Sequence, residues 1–541
     1  MTDFEHTAQI VKKNVSLGGK DQSIQALENL HQSNPQNKAH INQLINLYLQ
    51  QGQIEKACQS MFKLLTLAPE HQTLFQDLLK FSSQQGLFIY AAKAIELVRL
   101  QSNDVNPNDY FNYGYYLAKS GANDDAVAAY QQALDRGVDK PEEVYVAIAQ
   151  LLVNADRHKA ITHLQKALSL KPDYIIAMFN LATLYEEMGN RLEAQQLLEN
   201  ILVLEPFHCD ALSRLAELVT GKAKQLKVLH AIDQALNITN LNLSDKINLH
   251  YARAHLFDKL GQFDNAFQSA LQANELNRQV NPQFDLEEYA SRVKKLTAYV
   301  DGLSSSPPPM PSPVPVFICG MFRSGSTLLE QVLGCHSQIT PAGELAFFTK
   351  LREFIQRNFS SGTNQVNEQM LSSWRNQYVE LLSSYDSGQK LVTDKRPDNI
   401  VNIPLIKAML PDAKFIITQR NPLDIALSVL FLRLGPSQSY ATRVQDILDV
   451  CSVQQKWLQA FQEKYKDDII VVKYEDMVTN FTETVTTLLG RLDLNFEPDC
   501  FNFHNATNAV QTASVWKVRE PLFQTSLDKW KNYRMHLANH S

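Results

Sequence analysis

Cysteine is scarce in this chain: six residues in 541, scattered at Cys58, Cys209, Cys319, Cys335, Cys451 and Cys500. No CxxC pair occurs and no histidine stands at zinc-site spacing from any of them, so neither a disulfide framework nor a zinc site is expected. Incidental or buried thiols in a reducing compartment are the expectation. Long apolar runs are missing as well. No stretch reaches the ~18 residues a membrane-spanning helix needs, and the opening MTDFEHTAQIVKKNV has no apolar signal core. Excess positive charge is also absent: the formal net charge is −6, which argues against a general nucleic-acid binder. Together these absences predict a cytoplasmic, bacterial protein with no nucleic-acid or membrane partner. What is present is an ordinary globular composition, 44% hydrophobic and 20% charged, in a chain long enough for two or three domains.

The first half repeats itself. The segment IIAMFNLATLYEEMGNRLEAQQLLENILVLEPFH carries landmarks at Leu181, Ala182, Tyr185, Gly189, Ala194, Leu198, Ile201 and Pro206. The glycine recurs as Gly52, Gly86, Gly121, Gly189 and Gly261, and an alanine follows each five positions later, at Ala57, Ala91, Ala126, Ala194 and Ala266. One further unit lacks the glycine and keeps Ala160, Ala167 and Pro172. Glycine permits the tight turn between two helices, alanine lets the helices cross closely, and proline stops the second helix. This pattern resembles the tetratricopeptide repeat. It implies an all-α superhelix of about seven units between residues 38 and 280, preceded by an irregular helical cap. Such an array suits a protein or peptide partner, with scaffolding or a homodimer as the other roles.

Residues 301–315, DGLSSSPPPMPSPVP, cannot form a helix and read as a stiff spacer. The expected organisation is therefore a repeat domain at 1–300, a Pro/Ser-rich linker at 301–313, and a second domain at 314–541.

That second domain opens with PVFICGMFRSGSTLLEQVLGCH. Val316 to Cys319 reads as a strand, Gly320 to Thr327 as a Gly/Ser loop, and Ser326 to Leu333 as a helix. A strand, a glycine loop and a helix start form an anion cradle, because backbone N–H groups and the helix dipole converge on the bound group. The ATP-binding loop G-x-x-x-x-G-K-[ST] fits the spacing of Gly320 and Gly325, but Ser326 stands where its lysine should be. A P-loop kinase or NTPase is thus the weaker alternative. Instead Arg323 lies within the loop, followed by Ser324, Gly325, Ser326 and Thr327. A second motif, DAKFIITQRNPLDIALSVLFLRL, puts Arg420 after a strand (Ala413 to Thr418) and Ser428 eight residues later on a helix whose first turn holds Pro422. Arginine grips phosphate bidentately and serine adds a hydroxyl donor.

The two motifs in this order resemble PAPS-dependent sulfotransferases, and the R-S-G-[ST]-T form looks most like the tyrosylprotein sulfotransferases and repeat-bearing bacterial relatives. The resemblance covers about residues 314–536. It implies an α/β, P-loop-like domain with a parallel sheet, with PAPS (3′-phosphoadenylyl sulfate) as donor and no metal. The loop would hold the 5′-phosphosulfate and Arg420 with Ser428 the 3′-phosphate. It implies further that Glu344, in ITPAGELAFF, is the base, since it aligns without a gap from Arg323. Arg323 would stabilise the leaving group. Lys395, in LVTDKRPDN after a strand at Lys390 to Thr393, would contact the sulfonate, with Arg396 as its alternative. Ser514 and Lys529 match the C-terminal loop over the donor, and Tyr474, in IIVVKYEDM, neighbours the nucleotide. Arg519 lies one position out of register. His336, the rival base, reads as structural. The acceptor is expected to be a hydroxyl, either a protein or peptide tyrosine or a carbohydrate or small molecule. Two features depart from the animal tyrosylprotein enzymes: the chain lacks their membrane anchor and their paired cysteines.

Overall fold

The computed structural model describes residues 20–101, 105–301, 303, 313–359, 366–385, 388–505 and 526–537. The linker expected at 301–313 lies largely outside them, and Ser514 and Arg519 lie wholly outside.

Among the described residues, seven helix pairs run from Lys38–Gln50 with Ile54–Leu67 through to Leu243–Lys259 with Phe263–Arg278, followed by the single helix Leu286–Val300. The repeat chemistry explains them. Gly121 ends the helix Pro107–Ser120 at φ +89°, and the other turn glycines share the left-handed conformation that side chains resist. Ala57, Ala91, Ala126, Ala194 and Ala266 are all fully buried, as close helix crossing requires.

Packing divides the chain between Leu184 and Tyr185. The division does not fall at the proline-rich stretch, where composition places it. The reason is a shared core: Ala266, Phe267, Ala270, Tyr289 and Leu296 of the later helices belong to one apolar cluster with Phe317, Phe348 and Phe415 of the C-terminal domain. Tyr289 stacks on Trp457 at 5.2 Å, and its hydroxyl accepts from Gln454 Nε2 at 2.9 Å.

The C-terminal domain is built on a five-stranded parallel sheet of order β2-β3-β1-β4-β5. Its strands are β1 (Val314–Gly320), β2 (Ile339–Pro341), β3 (Leu391–Lys395), β4 (Lys414–Gln419) and β5 (Ile469–Lys473). β1 is apolar along nearly its whole length because both faces are covered. The two-residue period sends Phe317 and Cys319 to one core and Val316 and Ile318 to the other, against Leu329, Val332 and Leu333. With β1 central and flanked by β3 and β4, the segments leaving all three strands meet at one edge. Parallel sheets bind ligands outside these carboxyl ends.

Candidate active site

The loop after β1 enters the helix Ser326–Leu333 through two residues with positive φ, Arg323 at +69° and Gly325 at +104°. A left-handed arginine is strained, and its position is held from several sides. Ser324 Oγ donates to Met321 O at 2.6 Å and lies 2.6 Å from Thr418 Oγ1, so this hydroxyl faces into the loop. A Cβ on Gly325 would stand 2.7 Å from Cδ2 of Tyr474, which closes the loop from beside β5. Ser326 and Thr327 supply the first turn of the helix.

The second motif folds onto this loop. Arg323 Nε donates to Ser428 Oγ at 2.9 Å, and Arg420 Nη1 donates to the carbonyl of Arg323 at 3.2 Å. The Arg420 guanidinium also lies 4.5 Å from the Tyr474 ring centroid and donates to Ser526 O. Arg420 Nε is buried with no hydrogen-bond partner among the described residues. Burial, with Arg420 adding its charge, lowers the Arg323 pKa to about 10. Two guanidinium groups this close favour an anion between them, and an unpaired buried Nε is a donor awaiting one. Arg323, Arg420 and Ser428 line a cavity of about 300 Å³ that Lys529 also reaches, its ammonium paired with Asp258.

Lys395 and Glu344 form a second cluster. Lys395 ends β3 with 1% exposure and donates to Glu344 Oε1 at 2.6 Å, while the Glu344 side chain is 38% exposed. A buried cation therefore holds a carboxylate that solvent can reach. Arg396 is turned to Asp398 at 2.8 Å. His336 uses both ring nitrogens: Nδ1 accepts from Gln338 N at 3.0 Å and Nε2 sits 2.8 Å from Asn495 O.

Sequence reasoning passed over two buried acids beneath this pair. Glu330, on the loop helix, accepts from Gly343 N and Thr393 Oγ1, both at 3.1 Å, so it ties the loop carrying Glu344 to the strand carrying Lys395. Burial pushes its pKa up to about 7, against the opposing charge of Lys395. Asp394 accepts from Tyr378 Oη at 3.0 Å and is pushed by burial to about 8. An acid among Leu329, Val332 and Leu333 was the available signal for Glu330, because a buried carboxylate needs partners. Among the described residues, no group of three or more His, Cys, Asp or Glu is placed to hold a metal, and no helix is long and apolar enough to cross a membrane.

A strand–loop–helix turn, a convergent Arg/Arg/Ser cluster and a parallel sheet define an α/β domain whose carboxyl edge gathers donors and positive charge suited to an anion. Residues 315–498 match the Sulfotransferase family, and residues 176–207 and 247–280 match tetratricopeptide repeats. The chain thus joins tetratricopeptide repeats to a C-terminal sulfotransferase-family domain. An uncharacterized Aquifex aeolicus protein is 24% identical over 439 residues, 76% of this chain and 56% of its own length. Protein-tyrosine sulfotransferase 1 of Danio rerio is 21% identical over 236 residues, 40% of this chain and 65% of that protein. The chain therefore spans little more than half of the Aquifex protein. Among solved structures, the sulfotransferase domain of the Synechococcus PCC 7002 olefin synthase is 19% identical with a TM-score of 0.32, covering 43% of this chain and 91% of that one.

Proposed function

We propose that this protein transfers a sulfuryl group from PAPS to an acceptor hydroxyl, and that the acceptor is a tyrosine in a protein or peptide presented by the repeats. The carrying observation is the convergence of Arg323, Arg420 and Ser428 at the ends of β1 and β4. The loop spacing alone is compatible with an ATP enzyme, and the second cluster supports a nucleotide with a further phosphate at its 3′ position.

When bound, the donor supplies an activated sulfuryl group on a good leaving group. Ser326, Thr327 and the helix N-terminus hold its 5′ end, Arg420 and Ser428 its 3′-phosphate, and Tyr474 borders the nucleotide. Arg323 neutralises charge on the departing oxygen, the kind of electrostatic help that serves displacement best in a site shielded from water. Glu344 takes the acceptor proton, and Lys395 holds the carboxylate in place and adds positive charge at the reacting end. Ser514 and Lys529 would cover the donor from the C-terminal segment, although Ser514 lies outside the described residues. The tyrosine acceptor is favoured by the likeness to the Danio rerio protein and by the repeat array, whose helical grooves suit extended peptides.

Isothermal titration of adenosine 3′,5′-bisphosphate into wild type and Arg420→Ala, with ATP as comparison, tests the donor. Binding to wild type that the substitution abolishes, with no ATP binding, is the expected result. Magnesium-dependent ATP binding that is equal or stronger would overturn it.

A further inference from the structure

We propose that the end of the repeat array forms one wall of the donor pocket, and that Arg191, His255 and Lys259 help Arg420 and Ser428 to hold the 3′-phosphate, a phosphate monoester dianion. The proposal rests on the donor reading above. Its basis is one cavity of about 300 Å³ lined on one side by these three repeat residues and on the other by Arg323, Arg420 and Ser428. That volume lies at the lower end of the range for small-molecule sites.

The wall is fixed to the catalytic domain. Asn274 Nδ2 donates to the buried carbonyl of Leu430, at the end of the helix that carries Ser428, at 2.8 Å. Arg433 donates to Ser244 Oγ at 2.9 Å and Asn248 Oδ1 at 2.7 Å. Phe431 meets the His255 ring edge-on with centroids 6.2 Å apart. The helix Leu243–Lys259 therefore cannot shift without moving the Ser428 helix.

The charges favour an anion. Lys259 Nζ donates to the carbonyls of Ala216 at 2.9 Å and Glu217 at 2.6 Å, and Arg191 Nε to that of Leu218 at 3.1 Å. Both cations thus hold the C-terminus of the helix Cys209–Leu218 while lining the cavity. Two of the three acids lining the same cavity are already partnered. Asp258 takes the Lys529 ammonium and the Tyr533 hydroxyl at 2.6 Å. Asp424 accepts the N–H groups of Asp528 and Trp530, both at 3.0 Å. Glu217, the third, is exposed, and its negative charge acts on Arg323 and His255. A dianion entering here meets cations from both sides, and desolvation strengthens each contact.

The test titrates full-length wild type, His255→Glu and Lys259→Gln with adenosine 3′,5′-bisphosphate and with adenosine 5′-monophosphate, which lacks the 3′ group. Gln at 259 keeps a donor for the helix carbonyls, so this variant reports the charge even if His255→Glu melts early by circular dichroism. The expected result is a loss of about tenfold or more in bisphosphate affinity, one charge-assisted hydrogen bond, with 5′-monophosphate affinity within about twofold of wild type. Unchanged bisphosphate affinity in Lys259→Gln, or equal losses for both nucleotides, overturns the proposal. A wild type that binds the two nucleotides equally sinks the donor reading itself, which is a separate failure.

Discussion

At the residue scale, the Glu344–Lys395 pair is where the proposed reaction can be broken without breaking the fold. Glu344 is partly exposed and its described hydrogen bond is with Lys395, so Glu344→Gln removes the proposed base while keeping an acceptor for that lysine. Turnover is expected to fall by about 10²- to 10⁴-fold with bisphosphate affinity unchanged, measured by single-turnover transfer and titration. Glu330 behaves differently because it is buried. Its pKa rises from the usual 4.5 to about 7 on folding, so the folded state holds a proton that the unfolded state releases across that range. The stability linked to this proton is present below pH 4.5 and is lost as pH rises towards 7, on the order of 3 kcal/mol. Urea titrations of wild type and Glu330→Gln at pH 4.5 and pH 7.5 check this. The variant should gain on wild type by that order as pH rises, and parallel curves would contradict the assignment.

At the element scale, the loop between β1 and its helix depends on backbone geometry more than on side-chain identity. Gly325 sits at φ +104° against Tyr474, so Gly325→Ala forces both a left-handed alanine and a 2.7 Å contact. The expected cost is about 1–3 kcal/mol, with a weakening of bisphosphate binding, because relief of either strain shifts the first turn of the anion cradle. Thermal melting and titration of the same variant separate the two effects. The repeat helices obey the same local logic: a glycine turn and a buried alanine crossing mark five of the seven pairs, and the expected all-α repeats and parallel α/β sheet are both found. The strand expected at Lys390 to Thr393 extends to Lys395, so the lysine ends the strand instead of following it. Its register explains this, since Lys395 pairs with Ile318 of the central strand.

At the scale of the whole molecule, the later repeats and the catalytic domain share a core. A fragment beginning at residue 314 loses Tyr289 from Trp457, Asn274 from Leu430 and the apolar faces of Phe267 and Leu296. It is expected to aggregate, because exposed apolar surface on this scale is an association liability. A fragment beginning at residue 185 keeps those contacts and should remain monodisperse and melt cooperatively. Size-exclusion chromatography and calorimetry of the two fragments decide the matter. The proline-rich stretch therefore marks a change in composition, and the packing that stabilises the domain crosses it.

Local patterns in the chain determined most helix pairs, the two motifs proposed to bind phosphate and the pairing of each motif with its own strand, because turn glycines, apolar periods and an arginine after a strand act over short distances. Tertiary structure decided the rest. The β3-β1-β4 order, set by crossovers, brings Lys395 and Arg420 to either side of one loop. Glu330 becomes a tie between two segments only when the strand carrying Thr393 lies beside its helix. Arg191, His255 and Lys259 look like ordinary repeat-surface residues in the chain, and only the shared core turns them towards Arg420. Burial and partnership across distant segments are properties of the packed molecule, so no reading of spacing along the chain reaches them.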